Sequence, residues 1–217
     1  MVSFKCLTYG RVSFLEEALQ SFLLQEENNA ELVIVNDYPL QKLVFDHPQV
    51  RIINLEETFD LMGKKENFAI EQCKGDIIAT YDDDDIALPW HLKNIKKYFV
   101  PGTNILHWAK GMYYNEPNIT SITYLGNSGM VFSRDAWERA GKSPQMNAGG
   151  DSVFRDNVHK LGGIVNASPP KNEESWFYRW SLPQNGGCYH QSGAGFDKEN
   201  KPNIIQRHSA HIEGLII

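Results

Sequence analysis

Apolar positions along this chain switch between short branched runs and stripes of helical spacing. Residues 2–7 form a first run of strand character, and Thr8-Tyr9-Gly10-Arg11 breaks it as a loop. Phe14, Leu15, Ala18, Leu19, Phe22 and Leu23 then recur on one helical face, with Ser13 and Glu16 in capping-box spacing. Residues 32–35 read as a second strand ending at the turn Asn36-Asp37-Tyr38-Pro39, which sets a carboxylate at the strand's C-terminal end. Residues 50–55 give a third strand, 63–73 a short helix stopping near Gly75, and 77–81 a fourth strand. Parallel neighbours require crossover connections, so this β-α-β-β-α-β opening predicts an α/β fold with a mostly parallel central sheet flanked by helices.

The second half is less regular. Pro89 suits the first position of a helix carrying Trp90, Leu92, Ile95, Tyr98 and Phe99, ended by Pro101-Gly102. Residues 105–108, 112–114 and 119–124 have strand character, and short helices are predicted over 133–140, closed by Gly141, and 151–161, closed by Gly162-Gly163. From Ser168 onward Pro, Gly, Asn and Ser interleave with Trp176, Tyr178, Trp180, Tyr189 and Phe196, which predicts long loops packed over the sheet's edge. No internal repeat is present. The expected layout is a single domain over 1–217, with a Rossmann-like nucleotide-binding half (1–100), an acceptor and catalytic half (101–167) and a loop-rich tail (168–217).

Composition narrows the class. A chain of 217 residues suits one domain, and 41% hydrophobic with 22% charged residues is ordinary for a globular protein. The formal charge of -6 argues against a broad basic surface for nucleic acid. Nowhere do 18 apolar residues run together, and the N-terminus lacks a signal-peptide core, so a cytoplasmic protein without a transmembrane segment is expected. Cys6, Cys73 and Cys188 are odd in number and widely spaced, implying neither a disulfide framework nor a zinc site.

Chemistry concentrates at Asp82-Asp83-Asp84-Asp85, where the run Ile77-Ile78-Ala79-Thr80-Tyr81 ends. Carboxylates at the C-terminal end of a buried strand emerge at the crevice where open α/β sheets bind ligands. Packed this closely they repel one another unless a cation intervenes, and Mg2+ or Mn2+ takes hard oxygen ligands that it shares with phosphates. The other reading is a solvated acidic turn.

The ordered set Thr8-Tyr9-Gly10-Arg11, Asn36-Asp37, 63–67, Gly75-Asp76 and Asp82-Asp83-Asp84-Asp85 through Pro89 resembles family 2 glycosyltransferases of the GT-A fold, with Gly149-Gly150-Asp151 standing where that family carries its acidic catalytic motif. The resemblance implies a metal-dependent enzyme that moves a sugar from a nucleotide diphosphate sugar, UDP-linked, to an acceptor hydroxyl with inversion. Thr8, Tyr9 and Arg11 match the loop lining base and ribose, although Leu7 replaces the family's usual proline and Gly10 a frequent asparagine. Asp37 matches the acceptor for the uracil imide N–H, or is a turn-forming aspartate. Lys64 and Asn67 match nucleotide-side contacts, or are solvated helical residues. Asp82 and Asp84 align with the D-x-D motif, Asp82 facing the ribose and Asp84 the metal, with Asp83 pointing elsewhere and Asp85 as an extra acid. Asp151 is the candidate general base, or a helix cap.

Some relatives carry a metal-binding histidine near the C-terminus, a role that falls to His190, with His208 and His211 as competitors. His47, His91, His107 and His159 belong to no constellation in the sequence. Trp176, Tyr178, Arg179 and Trp180 offer planar faces for a sugar, or core packing. Asn127-Ser128-Gly129 matches the family region beneath the donor sugar. Competing functions are a nucleotidyltransferase, for which the single glycine of the first loop is a poor phosphate cradle, and a nonenzymatic nucleotide-sugar or metal-binding module. The acceptor is open among a glycan, a lipid-linked sugar, a protein and modified nucleic acid.

Overall fold

The structure, a computed structural model, describes residues 1–115, 118–122 and 127–179. Its centre is a seven-stranded sheet in the order β10-β6-β9-β4-β1-β2-β3, built from β1 (Val2–Thr8), β2 (Ala30–Asn36), β3 (Val50–Asn54), β4 (Ile77–Thr80), β6 (Ile105–Trp108), β9 (Val131–Ser133) and β10 (Ile164–Ala167). Pairs β1–β2, β1–β4, β2–β3 and β6–β10 are parallel, and β9 runs antiparallel to both β4 and β6. A second sheet has the order β5-β11-β7-β8, from β5 (Ile86–Ala87), β7 (Gly111–Asn115), β8 (Asn118–Ile122) and β11 (Trp176–Arg179).

Period-two alternation divides the apolar residues between two cores. Val2, Phe4 and Cys6 of β1, Leu32 and Ile34 of β2 and Ala79 of β4 face one layer, where α1 (Val12–Leu23) contributes Leu15, Leu19 and Phe22 and α3 (His91–Tyr98) contributes Leu92 and Ile95. Val33, Ile78, Ile105 and Phe132 face the other, against Ile70 of α2 (Met62–Gln72), Trp137 of α4 (Arg134–Arg139) and Phe154 and Val158 of α5 (Gly150–His159). Burial on both faces is why β2 carries an unbroken apolar run.

The mostly parallel, helix-flanked sheet agrees with the sequence reading, and several local details differ. α1 starts at Val12, and its N-cap Arg11 makes no side-chain cap bond, so the Ser13–Glu16 spacing does not set its start; burial of Val12 and Leu15 anchors that turn instead. α3 begins at His91, with Pro89 in the turn before it. β5, β9 and β10 are additional short strands that depend on tertiary pairing. The tail reading also changes: residues 176–179 form β11, an inner strand of the second sheet parallel to β7 and antiparallel to β5. Trp180 and everything after it lie outside the described residues.

Trp176 on β11 is 0% exposed and edges onto Tyr81 with ring centroids 5.5 Å apart, while its indole N–H donates to Ser128 Oγ at 2.7 Å. Gly129 has φ +63, and a Cβ there would fall 2.8 Å from the Trp176 ring, so this turn requires glycine on two counts. Trp176→Ala is expected to cost about 3–5 kcal/mol of stability, read as a lowered midpoint in urea denaturation.

Candidate functional site

The aspartate run leaves β4 at its C-terminal end and turns sharply, the Asp85 N–H donating to the Asp82 carbonyl at 3.2 Å. Its four side chains diverge. Asp82, Asp83 and Asp84 line a cavity of about 710 Å³, and Asp85 turns toward β11. There Asp85 is consumed structurally: Oδ1 accepts from the Arg179 backbone N–H at 2.9 Å and Oδ2 from Ser128 Oγ at 2.7 Å. It serves as an anchor between the run and the second sheet. Asp83, expected to point elsewhere, stays on the cavity side.

Arg11, brought over the run by α1, pairs with Asp84 Oδ2 at 2.7 Å and Asp83 Oδ1 at 3.2 Å. Burial disfavours its charge, but Asp83 and Asp84 more than compensate and hold the guanidinium above its ordinary value. One arginine does not neutralise the cluster. Burial and the neighbouring Asp84 charge push Asp82 up to about 7, burial raises Asp83 despite Arg11, and burial with Asp84 raises Asp85 well above the usual carboxylate range. Asp83 Oδ2 is buried with no hydrogen-bond partner. Negative charge is therefore in excess.

That excess fits a hard divalent cation. Among the described residues no three His, Cys, Asp or Glu side chains form a closed ligand cage, so Asp84 and its neighbours would supply part of a coordination shell completed by phosphate oxygens and water, the usual habit of Mg2+.

Nucleotide-side candidates divide into those near the run and those drawn away. Thr8 ends β1, its carbonyl accepting from Lys65 Nζ at 2.8 Å, and Tyr9 packs on Tyr38 with ring centroids 4.9 Å apart. Asp37 is buried at the end of β2, with Oδ1 bonded to Lys65 Nζ at 2.5 Å and Oδ2 accepting from the Phe59 N–H at 3.1 Å. Lys64 points outward to Asp60 at 2.8 Å. Asn67 pins a loop, its amide donating to the Ser143 carbonyl at 2.8 Å while its oxygen accepts from Ser143 N–H and Trp137 Nε1–H. Of the nucleotide-side candidates Arg11 and Asp82 line the cavity, and Thr8, Tyr9, Asp37, Lys64 and Asn67 do not; the α2 residues that do include Glu66. Helical geometry explains the exchange, because Lys65 lies on the buried face of α2 while Lys64 faces solvent.

Asp151 stands in the first turn of α5 after Gly149, which has φ +73. It lines the same cavity as Asp82, Asp83 and Asp84. Its Oδ2 accepts from Asn127 Nδ2 at 2.8 Å and its Oδ1 from the Ser152 N–H at 2.8 Å, and the N-cap is Gly149. Asn127 also meets Arg155 at 3.4 Å, so a polar chain orients the carboxylate. The 127–129 turn thus holds Asp151 at one end and Asp85 at the other. The loop around Pro144 and Met146 roofs the cavity over Gly63, where a Cβ would meet the Pro144 carbonyl at 1.8 Å.

Sequence reasoning missed Lys5, Lys65 and Glu66. Lysines within or beside apolar periodicity were the available signal, since a buried cation implies a nearby acid. Arg179, grouped in the sequence with the aromatic residues around it, donates to the Asp84 carbonyl and pairs with Glu17. His107 and His159, without a constellation in the sequence, face each other at 2.9 Å beside a smaller cavity. Buried His91 is held neutral, its pKa lowered to about 3 by desolvation. His190, His208 and His211 lie outside the described residues. No helix among the described residues is long and apolar enough to cross a membrane.

Comparison with known proteins bears on the family and the fold. A Bacillus subtilis protein described as the uncharacterized glycosyltransferase YwdF is 32% identical over 124 residues, covering 55% of this chain and 46% of that protein. The chain thus spans about half the length of this curated relative. Among solved structures, S. aureus TarS 1-349 in complex with UDP-GlcNAc superimposes with a TM-score of 0.66 at 15% identity, covering 100% of this chain and 67% of that one. The mannosyltransferase PcManGT from Pyrobaculum calidifontis, in complex with GDP-Man and Mn2+, gives 0.62 at 18% identity over 85% of this chain and 58% of that one. These likenesses establish the GT-A fold. The family described as Glycosyl transferase family 2 matches residues 6–160, which takes in both the aspartate run and Asp151, and the chain belongs to that family.

Proposed function

We propose that this protein is a metal-dependent glycosyltransferase that moves a sugar from a UDP-sugar to an acceptor hydroxyl with inversion at the anomeric carbon. One observation carries the reading: the carboxylates of Asp82, Asp83 and Asp84 and that of Asp151 line a single cavity large enough for a sugar with its diphosphate. In this reading the loop of Thr8, Tyr9 and Arg11, with Tyr9 backed by Tyr38, lines the base and ribose, Asp37 accepts from the base while Lys65 fixes the carboxylate, and Asp82 faces the ribose. Asp84 would hold Mn2+ or Mg2+, which would act as a Lewis acid and stabilise charge on the leaving nucleotide diphosphate. The relatives that bind UDP-GlcNAc, and GDP-Man with Mn2+, support a nucleotide-sugar donor and a divalent ion.

Asp151 is the base in this scheme. It takes the acceptor hydroxyl's proton as that oxygen forms its bond to the anomeric carbon and the bond to the diphosphate breaks. The Asn127 and Ser152 contacts keep the carboxylate aimed, so little reorganisation accompanies the step. Arg11, already paired with Asp83 and Asp84, keeps positive charge beside the leaving group.

Calorimetric titration of UDP with Mn2+, with EDTA and with the Asp84→Ala variant tests the donor site. Binding that needs both the metal and Asp84, weakened about tenfold or more without either, is expected; UDP binding indifferent to both would overturn the metal assignment. With an acceptor or water as sugar acceptor, Asp151→Asn is expected to lower kcat about 100- to 10,000-fold while UDP affinity stays within about twofold, and unchanged turnover would remove Asp151 from the role of base.

A further inference from the structure

Lys5 is a charged residue in the middle of β1, an inner strand of the main sheet, and is 3% exposed. Packing of the sheet does not call for it. Val2, Phe4 and Cys6 turn to one core, leaving Ser3, Lys5 and Leu7 on the opposite face, where an aliphatic side chain would pack without the desolvation that burying an ammonium entails. Ser3 has a structural task, donating to Glu31 at 2.6 Å and accepting from the Gly75 N–H at 2.7 Å. Lys5 instead forms an ion pair with Glu66 of α2, and both side chains line the cavity beside Asp82.

Burial works against the Lys5 charge, but Glu66 and Asp82 outweigh it and hold the ammonium above its ordinary value. Among the described residues Glu66 is its one ion-pair partner, whereas an ammonium has three donors and a carboxylate several acceptor positions. The pair thus offers a donor and an acceptor side by side, with Leu7, Phe132 and Phe154 as apolar walls of the same cavity. A pyranose ring matches this surface, because two adjacent hydroxyls each donate and accept while its C–H face is apolar. The Glu66 carboxylate on this surface opposes a sugar that itself carries a carboxylate.

We propose that Lys5 and Glu66 form the specificity-determining floor of the donor-sugar subsite, bridging two vicinal hydroxyls of a neutral hexose and rejecting uronic acids. The inference rests on the donor-site reading above. It assigns sugar recognition to residues apart from those that hold the nucleotide, so the two readings separate experimentally.

The test is calorimetric titration, in Mn2+, of UDP, UDP-glucose, UDP-galactose and UDP-glucuronate into the wild type, Glu66→Gln and the double variant Lys5→Met/Glu66→Leu, which exchanges the ion pair for an apolar pair. Thermal melting reports folding, and Glu66→Gln carries the test if the double variant does not fold. Wild-type protein is expected to bind a neutral UDP-hexose at least about tenfold more tightly than UDP-glucuronate, as lost or repelled polar contacts in a fitted site require. In the folded variants, affinity for UDP itself is expected to stay within about twofold while the hexose preference collapses about tenfold. Variants that keep the wild-type ratio of hexose to glucuronate would overturn the proposal and leave the pair a structural one. A wild type that binds UDP but does not prefer a hexose over glucuronate would overturn it as well, with the nucleotide site intact. Wild-type protein that binds neither UDP nor any UDP-sugar would overturn the donor reading itself and this inference with it.

Discussion

Confinement of Asp83, Asp84 and Asp85 away from water at the end of β4 sets the terms for the surrounding structure. Each ionised carboxylate there needs a positive or hydrogen-bonding partner, and each partner comes from a different part of the chain. Arg11 arrives from the start of α1, the Arg179 backbone from β11, and Ser128 from the turn before β9. A sheet of this kind would fold with apolar residues in those places. The partners make sense as the framework that keeps a concentrated negative charge at the mouth of a cavity without tearing the fold apart.

The turn at 127–129 is the mechanical link between the halves. Ser128 reaches Asp85, Asn127 reaches Asp151, and the Gly129 carbonyl accepts from the Trp108 indole at 2.8 Å. Trp176 closes the arrangement from the second sheet by donating to Ser128. Side chains of the turn after β4 and of β6, β11 and α5 are thereby held by three consecutive residues, which ties the aspartate run to the candidate base. A similar economy appears at Lys65, whose ammonium joins the ends of β1 and β2 through the Thr8 carbonyl and Asp37.

Sequence patterns exposed much of this. Apolar runs and helical stripes located β1, α1, β2, β3, α2 and β4, because parallel strands buried on two faces and amphipathic helices leave strong periodic signals. The short strands β5, β9 and β10 left little signal, since segments of two to four residues are strands only by virtue of what they pair with. β11 was hidden for another reason: its aromatic residues sit in a stretch rich in Pro, Asn and Ser, and burial of Trp176 under the second sheet is invisible without the tertiary contacts.

The same division runs through the site. By itself the sequence determined that four carboxylates end a buried strand, that a further aspartate follows paired glycines, and that a loop with Tyr9 and Arg11 stands at the end of β1, because local pattern and composition encode those facts. Only the tertiary structure decided the division of labour. It turned Asp85 into an anchor and left Asp82, Asp83 and Asp84 on the cavity, and it set Lys65 inward while Lys64 faced solvent. It also drew Asn67 into loop packing and brought Lys5 against Glu66. Which of two adjacent side chains faces a cavity depends on strand pairing and helix rotation, and these are fixed by contacts between residues far apart in the chain.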